Sequence, residues 1–370
     1  MKIALVVHDL HEHGGHSLYT RVLADELSAR HQVTVFANRC ERPDDASWRF
    51  CQVSAWRQSA LSTVQTFPLG LSALGSKLSD FDIRHVQGYC GGRPNVVTAH
   101  ICVAAYLDSL REISARNRLS LRLMAAAERR FFRRYEGQVI AISKKIAREL
   151  REFYGVRGAI SVVPHGVDAS RFGSLQRERY RTAVRTELGL NEEQTTVLYV
   201  GDLTKAHVHL KALAGSAPQV QFIIVSGSTR YRWSMPNVRF LPPTTELERY
   251  YAAADAFVFP TTYDAFGMVL LEAMASGLPV FSSDCAGAAE LIRHGDDGFV
   301  FPLDDWMEAS VAALRDREAL RTIGRQAEKT AGAYDWSAVV REVEQVYCQT
   351  AANTGFLKSE TPSGEYRYQR

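Results

Sequence analysis

Stretches that read as buried strands recur along this chain, each followed by a loop and a helical pattern, and the series runs twice. The first, KIALVVHD at 2–9, is almost continuously apolar, as a parallel strand covered on both faces must be. A Gly14-Gly15 loop follows, then SLYTRVLADELSAR, with Leu18, Val22, Leu23 and Leu27 at helical spacing, and then QVTVFAN as a second strand. Further strand-like runs stand in DIRHVQ, NVVTAH, GQVIAIS and ISVVP. A second series opens at TTVLYVGD and continues through QFIIVSG, NVRFLP, DAFVFP, LPVFSSD and GFVF. Strands alternating with helices predict an α/β chain of two doubly wound parallel-sheet domains. A length of 370 residues agrees, because one hydrophobic core seldom serves so many.

The break between the series falls where HGVDASRFGSLQRERYR loses its strand pattern, and predicts domains over 1–172 and 173–334. A helix over 335–350 follows the last strand and is expected to cross back to the first domain. Residues 351–370 are polar and read as a mobile tail. Ligands of open α/β sheets bind outside the carboxyl ends of the strands. The strand-end loops HDLHEHGGHS, TAH, GDLTK, SGSTR and PTTYDAFG are therefore expected to line an interdomain cleft.

Composition narrows the setting. No run approaches the roughly 18 apolar residues of a membrane-spanning helix, and the start resembles a buried strand rather than a signal peptide. Six scattered cysteines without a C-x-x-C pair fit reduced thiols in the cytoplasm. Residues 1–172 carry 24 Lys and Arg against 16 Asp and Glu, a net +8, while the remainder carries −5. Such asymmetry predicts an anionic partner for the basic half. Nucleic acid is not that partner, because no helix-turn-helix, zinc or RNA-binding signature accompanies the charge.

The densest chemical signal is PTTYDAFGMVLLEAMASGLPV at 260–280. A strand ends at Pro260, Asp264 stands in the following loop, and a helix begins near Phe266-Gly267. The first-turn amides of Gly267, Met268 and Val269 have no partner within the helix and favour an anion. Glu272, about one and a half turns on, can face the same cleft. One reading is a phosphate seat between two carboxylates able to bind sugar hydroxyls. The other is an amphipathic helix with a carboxylate cap and a solvated Glu272. Spacing alone leaves both open.

This segment resembles the E-x7-E region of family 4 of the retaining glycosyltransferases, P-S-x-x-E-x-F-G-L-x-x-x-E-A-x-A-x-G-x-P-V. It matches at Pro260, Phe266, Gly267, Glu272, Ala273, Ala275, Gly277, Pro279 and Val280. The glycine loop at 14–15, VVTAH ending in His100, VVPHGVD, YVGD, AGAAELIRHGDDGFV and YDWSAVVREVEQVY resemble further blocks of the family in the same order. The resemblance covers nearly the whole chain. The glycine loop, the length and the Arg-rich segment 111–134 are most similar to bacterial lipopolysaccharide-core sugar transferases.

The resemblance implies a GT-B fold, two Rossmann-like domains closing over a nucleotide-sugar, with no required metal or cofactor. The donor would be a UDP-sugar in preference to a GDP-sugar, and the acceptor a glycan or lipid-linked sugar. Amides of Gly14, Gly15, Gly267, Met268 and Val269 would hold the diphosphate, beside Phe266. Lys205 would neutralise the leaving group, Asp264 would hold sugar hydroxyls, Glu272 the ribose, and His100 would stand near the transferred sugar. The base would lie near 226–230 and 241–245. Two departures from the pattern stand out: Asp264 is one methylene shorter than the family's acid, and Asp202 replaces an arginine expected after Gly201.

His8, His11, His13 and His16 cluster around the glycine loop but lack a metal-binding spacing, so no metal is predicted. The segment 111–134 interleaves eight arginines with leucine and phenylalanine, which predicts association with an anionic membrane surface from the cytoplasmic side. Three rivals share parts of this pattern. A nicotinamide-dependent dehydrogenase would need G-x-G-x-x-G and an acid after the second strand, where Ala37-Asn38-Arg39 stand. A sugar-nucleotide epimerase would share the donor class. A degenerate transferase kept as a binding or scaffold partner would explain Asp202.

Overall fold

A computed structural model describes residues 1–11, 14–56 and 58–353. The first sheet has seven parallel strands: β1 (Lys2–Val6), β2 (Gln32–Ala37), β3 (Arg49–Gln52), β4 (Ile83–Gln87), β5 (Val96–Ala99), β6 (Gln138–Ala141) and β7 (Ile160–Val162), in the order 3-2-1-4-5-6-7. The second has six: β8 (Thr196–Val200), β9 (Gln221–Val225), β10 (Val238–Leu241), β11 (Ala256–Phe259), β12 (Val280–Ser283) and β13 (Gly298–Phe301), in the order 10-9-8-11-12-13. Both orders reverse beside their first strand, the doubly wound arrangement that the alternating sequence predicts.

The apolar runs become central strands because helices cover both sheet faces. Ile3, Ala4 and Leu5 of β1 and Phe257 and Val258 of β11 are wholly buried. β3, sequence RFCQ, carries no apolar run and was not foreseen; it pairs only with β2 at the sheet edge, where Phe50 is 39% exposed. The helix Gly15–Ser28 buries Tyr19, Thr20, Leu23 and Leu27, while Leu18 points outward. Its buried stripe is displaced from the leucine spacing because Tyr19 reaches inward to the histidines behind the cleft.

The backbone passes between the two sheets side by side in two places. Val167 bridges Asp335, and the Val167 amide donates to the Tyr334 carbonyl at 2.9 Å. Gly166 is obligatory here, because an added Cβ would lie 2.7 Å from the Trp336 ring. The short helix Ala169–Phe172 already belongs with the second sheet: Arg171 pairs with Glu248 at 2.9 Å and the Phe172 ring meets Tyr251. The last helix, Trp336–Asn353, extends three residues past the expected end and packs on the first sheet. The rest of the expected tail lies outside the described residues. Among the described residues all six cysteines are free thiols, and no helix is long and apolar enough to cross a membrane.

Candidate functional site

The carboxyl ends of the two sheets face each other across a cleft of about 610 Å³. His8 follows β1, His100 follows β5, His165 follows β7, Asp202 follows β8 and Asp264 follows β11, so one end of each sheet supplies a wall. Four of the five loops expected at this position contribute. The fifth, SGSTR, lines an adjoining hollow of about 490 Å³ with Pro243 and Thr244, which shares Val200, Gly201 and Asp202 with the cleft.

Two helices begin in this cleft. Gly14 (φ 100°) caps Gly15–Ser28 and Gly267 (φ 88°) caps Met268–Ala275, and neither cap supplies a side-chain hydrogen bond. Positive φ favours glycine at both caps. A Cβ on Gly15 would lie 3.4 Å from the Met268 sulfur, so the two helix starts meet across the gap. Their first-turn amides and aligned dipoles favour a polyanion between them.

Asp264 accepts from the Phe266 amide at 3.1 Å, and the Lys205 ammonium stands 3.7 Å from its carboxylate. Both side chains are about a quarter exposed, at 26% and 27%, hence open to a ligand. Lys205 is the one lysine or arginine among the described residues lining the cleft, against Asp9, Asp202 and Asp264. Asp202 is occupied locally: its carboxylate accepts from the Thr204 amide at 3.0 Å and the Thr204 hydroxyl at 2.7 Å, capping the turn Leu203–Lys205. The residue at the position of the expected arginine therefore fixes the turn that carries Lys205.

Behind the glycine loop lies a neutral histidine network. His100 Nε2 lies 2.9 Å from Gln87 Oε1, which makes Nε2 the donor, and His100 Nδ1 then accepts from His165 Nε2 at 3.2 Å. That tautomer leaves His165 Nδ1 as a buried lone pair with no partner among the described residues. Burial pushes His8 and His16 down to about 4 and His165 to about 3, and holds His100 well below the usual range. All four are neutral at pH 7 and add no positive charge to the cleft. The Phe266 ring packs on His165 with centroids 5.1 Å apart. His165 was not singled out from the sequence; its signal was its place within VVPHGVD, one of the blocks that resemble the family.

Glu272 lines neither hollow. Its carboxylate accepts from the Tyr251 hydroxyl at 3.0 Å, and burial raises its pKa. Met268 and Val269, one turn earlier, do line the cleft. Among the described residues no group of three His, Cys, Asp or Glu side chains is placed to hold a metal ion, and His13 lies outside them.

The two domains touch at one flank of the cleft. The Ser143 hydroxyl donates to the Ala265 carbonyl at 3.0 Å, the Lys144 amide to Glu290 at 2.8 Å, and the Tyr263 hydroxyl to Glu149 at 2.9 Å. Gly287 permits this approach, since its Cβ would sit 2.9 Å from the Ser143 hydroxyl oxygen of the first domain.

Comparison with known proteins places two family models along the chain: Glycosyltransferase Family 4 over residues 13–171 and Glycosyl transferases group 1 over residues 194–316. A D-inositol 3-phosphate glycosyltransferase of Nocardia farcinica is 31% identical over 289 residues, which is 69% of this chain and 61% of that protein. The chain thus spans less than two thirds of that relative. Among solved structures, WaaG, a glycosyltransferase of lipopolysaccharide biosynthesis, aligns with a TM-score of 0.76 at 21% identity over 93% of this chain and 99% of its own. HepE of Anabaena, in complex with UDP and glucose, aligns with a TM-score of 0.70 at 18% identity over 94% of this chain and 100% of its own. At these identities the structural matches speak for the fold.

Proposed function

This chain belongs to the family 4 glycosyltransferases and has their GT-B fold, and from that premise we propose that it moves a hexose from a nucleotide-sugar to a glycan or lipid-linked acceptor with retention. The observation that carries the reading is the meeting of two uncapped helix starts beside Lys205 and Asp264. A pyrophosphate between them would take hydrogen bonds from the amides of Gly14, Gly15, Gly267, Met268 and Val269. Among the described residues the lining side chains carry three carboxylates against one lysine, which leaves backbone amides and Lys205 to meet the phosphate charge. Lys205 would stabilise the leaving phosphate as the glycosidic bond breaks. Asp264 would hold the sugar hydroxyls, and Glu272 would exchange its bond from Tyr251 for the ribose hydroxyls. The adjoining hollow at Ser226–Ser228 and Thr244 would take the base.

His100 is neutral, with its one N–H given to Gln87 and its other ring nitrogen accepting from His165, which suits a fixed part of the wall near the sugar better than a base. The departing phosphate oxygen would take the acceptor's proton on the same face, so Asp264 and Glu272 are not a glycosidase pair. UDP is the favoured carrier, in keeping with the UDP bound by HepE. A thermal-shift panel of UDP-, GDP- and ADP-sugars tests the reading. Stabilisation is expected with UDP-sugars first, and no shift with any nucleotide would sink it.

Asp202→Arg restores the cation of the family pattern. It is expected to tighten UDP-sugar binding roughly tenfold, about 1.5 kcal/mol for one charge-assisted hydrogen bond. Loss of the Thr204 cap should cost about 1 kcal/mol of stability. Calorimetric titration reads the first and a urea midpoint the second; weaker donor binding would show that the carboxylate itself serves the donor.

Placement at a cytoplasmic membrane face, for an envelope polysaccharide or lipopolysaccharide acceptor, rests on the helix Ala115–Arg134. Leu119 and Leu123 are 59% and 45% exposed among exposed Arg116, Arg122, Arg130 and Arg133. Basic residues near an anionic surface contribute about 1 kcal/mol each. Sedimentation with phosphatidylglycerol vesicles but not phosphatidylcholine vesicles is expected, with Arg122→Glu combined with Arg130→Glu releasing the protein. Equal sedimentation of the variant would remove this helix from the account.

A further inference from the structure

A second hollow, of about 330 Å³, lies at the opposite edge of the second sheet. Asp255 and Ser276-Gly277, which line it, precede β11 and β12, so it sits at the amino ends of strands whose carboxyl ends face the cleft. It shares no lining residue with the cleft or the adjoining hollow. Its walls are the helices Ser174–Glu187 and Arg317–Gly332, which carry Arg177 and Arg181, and Arg317, Arg321 and Arg325.

Five guanidinium groups thus surround a hollow whose carboxylates are Asp255 and Glu328. Both carboxylates are engaged. Asp255 takes Arg181 at 2.7 Å, Arg185 from behind at 3.4 Å and the Thr196 amide at 2.9 Å. Glu328 accepts from the Ser174 amide at 3.1 Å. Arg317 donates to the carbonyls of Glu192 and Glu193, and Arg325 to the Thr322 hydroxyl. Two arginines remain. Among the described residues the buried Nη1 of Arg177 has no hydrogen bond, and its Nη2 makes only a long ion pair with Asp255 at 4.0 Å. Arg321 makes no hydrogen bond or ion pair among the described residues.

The Arg177 side chain is a quarter exposed, but leaving its buried Nη1 without an acceptor beside like charges is unfavourable unless an anion joins it. Burial and the adjacent Arg181 push Arg177 down to about 10, the expected signature of that conflict. Planar guanidinium forks match the oxygens of phosphate. The volume lies at the lower end for small-molecule sites, which span about 300–1,000 Å³, too small for a nucleotide-sugar.

We propose that this arginine-lined hollow binds a compact phosphate-bearing anion, of the class of inorganic phosphate, pyrophosphate or a small phosphomonoester, at a site separate from the donor cleft. The anion would bridge Arg177 on one helix to Arg321 and Arg325 on the other. Those helices follow the first passage between the domains and precede the second, so the bound anion would tie together the elements flanking the two passages.

The test is calorimetric titration of the full chain with inorganic phosphate and with pyrophosphate, each with and without saturating UDP. The comparison protein is Arg321→Gln combined with Arg325→Gln, both exposed and able to change without disturbing the core. Binding that persists under UDP and weakens at least tenfold in the double variant is expected, with UDP affinity itself unchanged. Equal phosphate affinity in the double variant would overturn the assignment, as would loss of all phosphate binding under UDP. Binding to phosphatidate vesicles alone, with neither free anion bound, would overturn the small-molecule identity. Failure of UDP to bind would count against the donor cleft and leave the phosphate comparison readable.

Discussion

Replacing Lys205 with alanine is expected to lower kcat/KM by about 10²–10³, the loss found when one preorganised charge-stabilising donor is removed from a dry site. The size follows from the composition of the cleft. Its buried His8, His16, His100 and His165 are neutral at pH 7, and no other lysine or arginine lines it among the described residues. No second cation is therefore placed to take over as charge builds on the departing phosphate. The effect should fall mainly on kcat, because negative charge on the leaving oxygen grows towards the transition state. Folding should change little: Lys205 is partly exposed, and its ion pair with Asp264 at 3.7 Å is of a kind contributing no more than about 1 kcal/mol. Steady-state kinetics beside a melting curve separates the two. An unchanged kcat with a raised KM would reduce Lys205 to a uniform binding contact.

Mild acid is expected to unfold the protein steeply. Burial lowers His8 and His16 to about 4 and His85 and His165 to about 3, and holds His100 well below its usual value. The unfolded chain takes up these protons as pH falls through about 6.5, while the folded chain refuses them until about 4 or below. Stability from these groups is therefore complete above 6.5 and is lost progressively below it. Two carboxyls oppose this. Burial raises Glu128 to about 7 and Glu272 above its usual value, so in the fold they accept protons earlier than in the unfolded chain. The five histidines outnumber the two carboxyls, so unfolding takes up protons on balance between pH 6 and 5, and each proton of that excess is worth about 1.4 kcal/mol per pH unit. Urea midpoints at pH 7.5, 6.5 and 5.5 would record the slope, and a flat profile would contradict the burial of this network.

The fold was readable because strands buried on both faces leave an unmistakable residue pattern. Twelve of the thirteen strands of the two large sheets correspond to strand-like runs, and the thirteenth, Arg49–Gln52, escaped because an exposed edge strand asks little of its side chains. The cleft was readable for a related reason: strand-end loops face a ligand whatever their composition. Side-chain direction was not. Asp202 turns back on Thr204, and Glu272 engages Tyr251 from the distant helix Leu247–Ala253. His165 joins His100 across 65 residues of sequence. The last two depend on partners that no local window contains, and the first on a choice between a local cap and the cleft. The second arginine-lined hollow was equally hidden, since its arginines come from helices more than a hundred residues apart.

The helix Trp336–Asn353 has a consequence for how the chain is made. Val339, Val343 and Tyr347 complete a cluster with Ile3, Leu5, Leu23 and Val35, and Tyr347 binds His85 at 2.6 Å. At ribosomal rates of about 5–20 residues per second, the seven strands of the first sheet wait roughly 10–40 s for that covering helix. The second sheet has its last strand at residue 301 and its last packing helix at 332, and so is complete sooner. The domain synthesised first is the one finished last. Its uncovered face is where a nascent chain of this kind is most open to misassembly and most dependent on a holding chaperone.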